Sequence, residues 1–195
     1  MLVSLDIHII CVQESWLDAS VKNPILHDYF VACRRDRSET ENRGGVITYT
    51  RSDVNNIVFY KASDESERVG HIIHRDSGAI ALCNWYYPPC ADLSHIASLQ
   101  AEVEDIGTST DTILLVGDLN VHHVSWLRFS NADTPRGRHL KEFCDGQGLR
   151  QLVSQPTRGD YLLDLVLSSN ANVQVSVEGK IADHACLHIK VPDAK

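Results

Sequence analysis

Residues 114–123 read Leu-Leu-Val-Gly-Asp-Leu-Asn-Val-His-His, and in this stretch an apolar run gives way to polar side chains. The run at 113–116 has the length and composition of a buried strand, and Gly117 ends it. Asp118 and Asn120 follow two positions apart, and side chains two apart on a strand share a face. We therefore predict that a carboxylate and a carboxamide emerge together at the end of a buried strand. Such oxygen donors suit a metal ion or a phosphate, although Gly, Asp and Asn are also ordinary turn residues.

The composition of the whole chain restricts the class of protein. Its 195 residues can bury a sizeable core, and we expect a single domain over 1–195. With 43% hydrophobic and 23% charged residues, the chain is neither disordered nor collagenous. No apolar stretch reaches the roughly 20 residues of a transmembrane helix, so no membrane partner is expected. The net charge of −8 argues against a protein that simply coats DNA phosphates, but it does not exclude a metal-dependent phosphodiesterase, in which acidic ligands collect a cation.

The cysteines and the first residues indicate where the protein acts. None of the six cysteines lies in a Cys-x-x-Cys pair, which argues against a zinc site, and several lie in apolar runs typical of buried thiols. The apolar start is interrupted by Asp6 and His8 and has no basic segment before it, so we interpret it as a strand and not a signal peptide. We therefore expect an intracellular protein, nuclear or cytoplasmic and not secreted.

Hydrophobic periodicity predicts many short strands and few helices. Apolar residues recur at three- and four-residue spacing over 93–106, which predicts a helix, and Thr134-Pro135 begins a second helix that ends near Gly146 or Gly148. The charged stretches 34–43 and 63–68 are expected to be solvated loops. Many strands with outer helices indicate an α+β sandwich. The predicted strands are 7–12, 45–50, 57–61, 71–74, 79–86, 113–116, 161–167, 173–177 and 186–191.

Further polar side chains lie at or inside apolar strands. Glu14 follows the first strand, although a glutamate there could also begin a helix. Tyr86 ends another strand, where its phenol could pack or could donate to a phosphate oxygen. Asp164 interrupts an apolar run, and such a carboxylate is costly unless it is paired. Asp183 and His184 precede the last strand, and if Asp164 orients His184, the imidazole becomes a base or a group that polarises phosphate.

Taken in order, these motifs resemble the endonuclease/exonuclease/phosphatase superfamily, which has the deoxyribonuclease I-like fold. The flanking residues at 120–126, 155–158 and 164–167 are similar to the apurinic-type endonuclease domain of non-LTR retrotransposons. The resemblance covers about residues 5–191. The motifs that carry it are Gln13-Glu14, Gly44-Gly45-Val46, Trp85-Tyr86-Tyr87-Pro88, Gly117-Asp118-Leu119-Asn120, Asp164 and Asp183-His184.

The resemblance implies a four-layer α/β/β/α sandwich and a catalytic role for most of these polar residues. Asp118 would orient or deprotonate the attacking water, and Asn120 would hold the phosphate or the nucleophile. His184, oriented by Asp164, would contact the scissile phosphate and stabilise developing charge. Tyr86 would stabilise the phosphate or the leaving oxygen.

The resemblance also implies a divalent metal, and in one respect this chain differs from the family. Glu14 would ligate Mg²⁺ or Mn²⁺, Asp183 would help the metal site, and the ion would act as a Lewis acid on the phosphodiester. Family members begin with a strand that carries an Asn, followed by a helix, and no Asn precedes Glu14 here. Ala182 also replaces the usual serine. We therefore expect a chain that lacks the first strand and helix, with impaired activity and a tendency to associate.

Three functions follow from these patterns. The first is a metal-dependent endonuclease that nicks DNA, favoured by the retrotransposon-like flanking residues. The second keeps the fold and acts on a phosphoinositide or sphingolipid head group, because a fold does not determine its substrate. The third is an inactive remnant or a binding module.

Overall fold

We describe a computed structural model of the chain, which covers residues 6–37, 43–55 and 57–193. The chain forms eleven strands and two helices within these ranges. In chain order they are β1 (Ile9–Gln13), β2 (Tyr29–Arg35), β3 (Val46–Arg51), β4 (Ile57–Lys61), β5 (Glu67–Arg75), β6 (Gly78–Tyr86), α1 (Ser94–Gly107), β7 (Thr112–Asp118), α2 (Pro135–Gly146), β8 (Arg150–Gln151), β9 (Asp164–Ser168), β10 (Gln174–Lys180) and β11 (Ala185–Lys190).

A six-stranded mixed sheet forms the centre of the fold, with strand order β4-β5-β6-β7-β9-β8. Strands β6 and β7 pair in parallel, whereas the other neighbours in this sheet pair antiparallel. A parallel pair needs a crossover connection, and α1 supplies it between β6 and β7. Residues 113–116 of β7 are continuously apolar because both faces of this strand are covered: Leu114, Leu115 and Val116 are all buried in the core cluster.

The two helices pack on one face of this sheet, and both helix predictions are confirmed. In α1 the predicted apolar stripe buries Ile96, Leu99 and Val103 in the same core cluster as β6 and β7. In α2 the Thr134 side chain caps the first turn by accepting a hydrogen bond from the N–H of Gly137 at 3.1 Å. None of the described helices is long and apolar enough to cross a membrane.

Two smaller sheets contribute to the fold, and residues of β1, β10 and β11 pack against the same core cluster as the central sheet. One smaller sheet has the order β1-β3-β2, and the other is the antiparallel pair β10-β11. The buried amide of Asn84 on β6 donates to the Thr48 hydroxyl on β3 at 3.1 Å, which ties the three-stranded sheet to the central one. Within the described ranges, β1 pairs with β3 and β11 pairs with β10, each on one edge. The expectation of a missing first strand stays a prediction.

The structure corrects two sequence predictions. Residues 63–68 are not a solvated loop throughout, because Ser66, Glu67 and Arg68 are buried and β5 begins within the stretch. The stretch 34–43 is not a loop from its start either, since β2 includes residues 34 and 35; residues 38–42 lie outside the described ranges. Both errors came from treating charge as a sign of exposure, whereas ion pairs allow charged side chains inside a protein.

Candidate active site

Two carboxylates face each other at one end of the central sheet. Asp118 is the last residue of β7 and Asp164 the first of β9, and the two are directly opposite in the antiparallel register. Residues opposite each other in such a pair share a face, and these two are only 4% and 8% exposed. Gly117, just before Asp118, packs against the backbone of β6. Only glycine fits there, because its φ is +149° and a Cβ would lie 1.8 Å from the Trp85 carbonyl oxygen.

A histidine completes this group. The Nδ1 atom of His184 lies 2.7 Å from Oδ2 of Asp164, as the sequence analysis anticipated. The Thr157 hydroxyl fixes the position of Asp164 by accepting its backbone N–H at 3.0 Å. The Thr157 carbonyl accepts the N–H of Ala185, next to His184, at 2.8 Å. Since Nδ1 is engaged by Asp164, Nε2 is the ring nitrogen that can face a ligand.

The electrostatics of the group are unbalanced. Burial, together with the charge of Asp164, raises the pKa of Asp118 to about 7, and the nearby His184 only partly opposes this. The hydrogen bond to Asp164 raises the pKa of His184. Two buried carboxylates beside one imidazole therefore call for additional positive charge. Ligand atoms of Asp118, Asp164 and His184 all lie within 4.8 Å of one another, so this group fits a cation.

Asn120 lies beside Asp118 in a constrained turn. Its φ is +47°, a conformation that asparagine tolerates better than most residues, and its N–H donates to Oδ1 of Asp118 at 3.3 Å. Arg136 on α2 holds the turn by donating to the carbonyl oxygens of Asn120 at 3.3 Å and Pro88 at 2.5 Å. Asn120 thus lies next to the Asp118 carboxylate, in a turn that follows β7; that its carboxamide faces the same ligand stays a prediction.

Glu14 and Tyr86 form a second pair close to the first group. The Tyr86 hydroxyl donates to Oε1 of Glu14, and Nε1 of Trp16 donates to Oε2 at 3.2 Å. Glu14 has a φ of +50°, a strained value for a glutamate, and such strain is concentrated at functional sites. Burial, then the Glu14 carboxylate and the charge of Asp118, raise the pKa of Tyr86, so the phenol stays a donor.

Asp183 is placed differently from the other predicted residues. Its Oδ2 atom lies 2.7 Å from Nη2 of Arg158, and its side chain is 64% exposed. The hydrogen bond from its own backbone N–H, with the charge of Arg158, lowers the pKa of Asp183. Glu14 and Asp183 are not members of the three-residue group that could hold a metal among the described residues. Their assignment as metal ligands stays a prediction.

Sequence reasoning missed the residues that support this site. The Arg37 guanidinium lies over the Tyr86 ring at 5.7 Å and pairs with Glu67 at 2.6 Å. Thr157 and Arg158 were noted only as part of the resemblance, and no role followed from it. A polar Pro-Thr-Arg turn between apolar runs was the available signal, but only the folded chain shows that it contacts Asp164 and His184.

The fold is that of the endonuclease/exonuclease/phosphatase superfamily. Residues 80–189 match the family described as endonuclease-reverse transcriptase, and the chain belongs to that family. A comparison with curated protein sequences finds no match. The family match includes every predicted site residue except Glu14.

Solved structures confirm the α+β deoxyribonuclease I-like fold. The endonuclease domain of TRAS1, a telomere-specific non-LTR retrotransposon, is 16% identical with a TM-score of 0.77, over 96% of this chain and 87% of that one. The AP endonuclease LMAP from Leishmania major is 14% identical with a TM-score of 0.76, over 96% and 79% of the two chains. The APE2 catalytic domain from Xenopus laevis is 18% identical with a TM-score of 0.68, over 100% and 87%.

Proposed function

We propose that this chain is a metal-dependent endonuclease that nicks DNA by hydrolysing a phosphodiester bond. The observation that carries the proposal is the buried Asp118–Asp164 pair with His184 bonded to it, in a chain of a family described as endonuclease-reverse transcriptase. A carboxylate, a carboxamide and an imidazole within one group can orient water, hold a phosphate and stabilise developing charge.

Asp118 and Asn120 act on the attacking water. The Asp118 carboxylate accepts a proton from the water as its oxygen bonds to phosphorus. The neighbouring Asn120, held by its N–H bond to Asp118, places its amide against the water or a phosphate oxygen. Fixing the reactants in this way supplies a large part of the rate enhancement in enzymes.

His184 and Tyr86 act on the phosphate. Asp164 keeps the His184 ring oriented, so that Nε2 can donate to a non-bridging phosphate oxygen as negative charge develops there. As the water oxygen bonds to phosphorus, the bond from phosphorus to one sugar oxygen breaks, and that oxygen takes a proton from the Tyr86 phenol or from solvent water. The Tyr86 phenol, which donates to Glu14 in the structure, donates to the phosphate or to the leaving oxygen when substrate is bound.

A divalent cation, Mg²⁺ or Mn²⁺, fits the donor chemistry of the site. Its hard oxygen donors are carboxylates, and the pKa of Asp118, raised by burial and by Asp164, supports a site that takes up a cation. We propose that Glu14 and Asp183 hold the ion, Asp183 through Oδ1, because its Oδ2 atom lies 2.7 Å from Nη2 of Arg158. When bound, it supplies Lewis-acid polarisation of the phosphodiester.

Nicking of supercoiled plasmid tests the proposal. We expect activity with Mg²⁺ or Mn²⁺, a steep fall with added salt because the chain carries −8, and loss in excess chelator. His184→Ala should lower the rate by about 10² to 10⁴. His139→Ala, at an exposed position on α2, is the matched control and should leave the rate unchanged. Full activity in chelator would contradict the metal requirement.

The same assay separates the alternatives. Vesicles that contain phosphoinositide or sphingomyelin, offered in competition with plasmid, test a lipid phosphoesterase. A well-folded chain that cleaves neither substrate with either metal would indicate the inactive remnant or binding module. The family description favours DNA among these.

A further inference from the structure

We propose that Arg158 binds a DNA phosphate beside the scissile one and that Asp183 positions its guanidinium; this inference rests on the proposed function. Arg158 lies in the turn at 157–161, where its backbone pairs with Tyr161 and, on another edge, with His184. Residues opposite each other in an antiparallel bridge have side chains on the same face. Arg158 is therefore a neighbour of His184 on the face that carries the candidate site.

Hydrogen bonds join the turn that carries Arg158 both to the start of β9 and to the start of β11. The Thr157 hydroxyl accepts the N–H groups of Leu163 and Asp164 at 3.1 and 3.0 Å. The Thr157 carbonyl accepts the N–H of Ala185 at 2.8 Å. A residue on so constrained a turn holds its position relative to Asp164 and His184, which a contact to a neighbouring phosphate requires.

The side chain of Arg158 remains accessible although it is paired. It is 49% exposed, and its Nη2 atom lies 2.7 Å from Asp183. A guanidinium has five N–H donors in a planar fork, so one edge can bind Asp183 while another binds a phosphate. An ion pair this exposed contributes little to stability. Its position is thus better explained by a ligand than by folding.

The charge of the site favours such a contact. The candidate site includes four carboxylates, those of Glu14, Asp118, Asp164 and Asp183, and the chain as a whole carries −8. A polyanionic substrate is repelled unless cationic side chains meet it near the site. Arg136, in contrast, is occupied by the carbonyl oxygens of Asn120 and Pro88.

DNA affinity in chelator tests the proposal without turnover. The probe is a fluorescein-labelled 20-base-pair duplex, measured by anisotropy over a series of salt concentrations. Arg158→Ala should weaken binding about tenfold and reduce the slope of log affinity against log salt by about 1, independently of sequence. Arg158→Lys should keep the slope and recover part of the affinity. Arg150→Ala is the matched control, because this exposed arginine pairs with Ser168 at the opposite end of β9 from Asp164.

Hydrolysis of a small phosphodiester separates phosphate binding from damage to the site. Bis(p-nitrophenyl) phosphate has no neighbouring phosphate, so Arg158→Ala should leave its hydrolysis within twofold while raising KM for plasmid. Unchanged DNA affinity in Arg158→Ala, or an equal loss in Arg150→Ala, would overturn the proposal. An equal loss on the small substrate would show instead that Arg158 only supports His184. A wild-type chain that cleaves nothing would refute the proposed function, while the anisotropy result would still decide the role of Arg158.

Discussion

Two groups of charged residues in this molecule differ in how well their charges are compensated. One lies between β5 and α1, and the other lies at the ends of β7 and β9. In the first, Arg68 is 1% exposed, and its Nη2 atom lies 2.7 Å from Glu102 and 3.3 Å from Asp64. Ser98 accepts a further N–H from it at 2.9 Å. Burial works against the charge of Arg68, but the hydrogen bonds and the charge of Glu102 outweigh it and raise its pKa.

The group at the ends of β7 and β9 has the opposite imbalance. Burial and the charge of Asp164 raise the pKa of Asp118 to about 7, and His184 compensates only in part. The Arg68 group is satisfied by the chain alone, whereas the Asp118 group needs positive charge from elsewhere. A satisfied buried network is typical of structure, and an unsatisfied one is typical of a functional site. This difference predicts opposite consequences of mutation.

The largest expected effect is loss of activity without loss of stability in Asp118→Asn. The nicking rate should fall by about 10² to 10⁴, because the amide cannot accept the proton of water. The melting temperature should stay the same or rise, since the variant removes a charge that burial opposes. Asp145→Asn, at an exposed position of α2, should change neither quantity. A large fall in melting temperature would mean that Asp118, like Arg68, stabilises the fold.

Arg68→Met should show the reverse. It leaves Glu102 and Asp64, which are 17% and 24% exposed, without their cation. Breaking a buried pair costs about 3–5 kcal/mol in the free energy of unfolding, and we expect the lower end of that range because both carboxylates keep some contact with solvent. The nicking rate per folded molecule should not change. Urea denaturation measures the loss, and Lys141→Ala, which breaks the exposed Lys141–Asp145 pair on α2, should cost less than about 0.5 kcal/mol.

His71 on β5 extends the comparison to a buried group without a counter-charge. It is fully buried, and burial lowers its pKa from 6.5 to about 4. The unfolded chain binds a proton below pH 6.5, whereas the folded chain does not until about pH 4, so stability falls as the pH decreases through this window. The loss should reach about 3 kcal/mol at pH 4. His71→Leu should flatten the pH dependence measured by urea denaturation, and His139→Ala should leave it unchanged.

Tyr86→Phe is expected to have the smallest effect. It removes the hydroxyl that donates to Glu14 and leaves the ring beneath Arg37 in place. Losing one hydrogen bond to a charged group costs about 1.5 kcal/mol, so we expect the nicking rate to fall about tenfold. Unfolding stability should change little. A loss as large as that in Asp118→Asn would show that the Tyr86 hydroxyl contributes to the reaction as much as the Asp118 carboxylate does.

The sequence by itself determined the elements whose signal is local. The stripe at three- and four-residue spacing located α1, and the Thr134 cap located the start of α2. The apolar run at 113–116 located the central strand, and it showed that Asp118 lies where that strand ends. These features depend on neighbours within a few residues. The spacing of apolar residues and the identity of the capping residue are therefore enough to predict them.

Only the tertiary structure decided which distant groups meet. The register that sets Asp118 opposite Asp164 joins segments 46 positions apart, and the turn that brings Arg158 beside His184 joins segments 26 apart. Burial of Arg68 likewise depends on Glu102, which the chain reaches only after β6. Whether a charged side chain at these positions is buried depends on long-range pairing. No local pattern shows whether a buried charge will meet a partner of opposite charge, because that partner lies far away in the sequence.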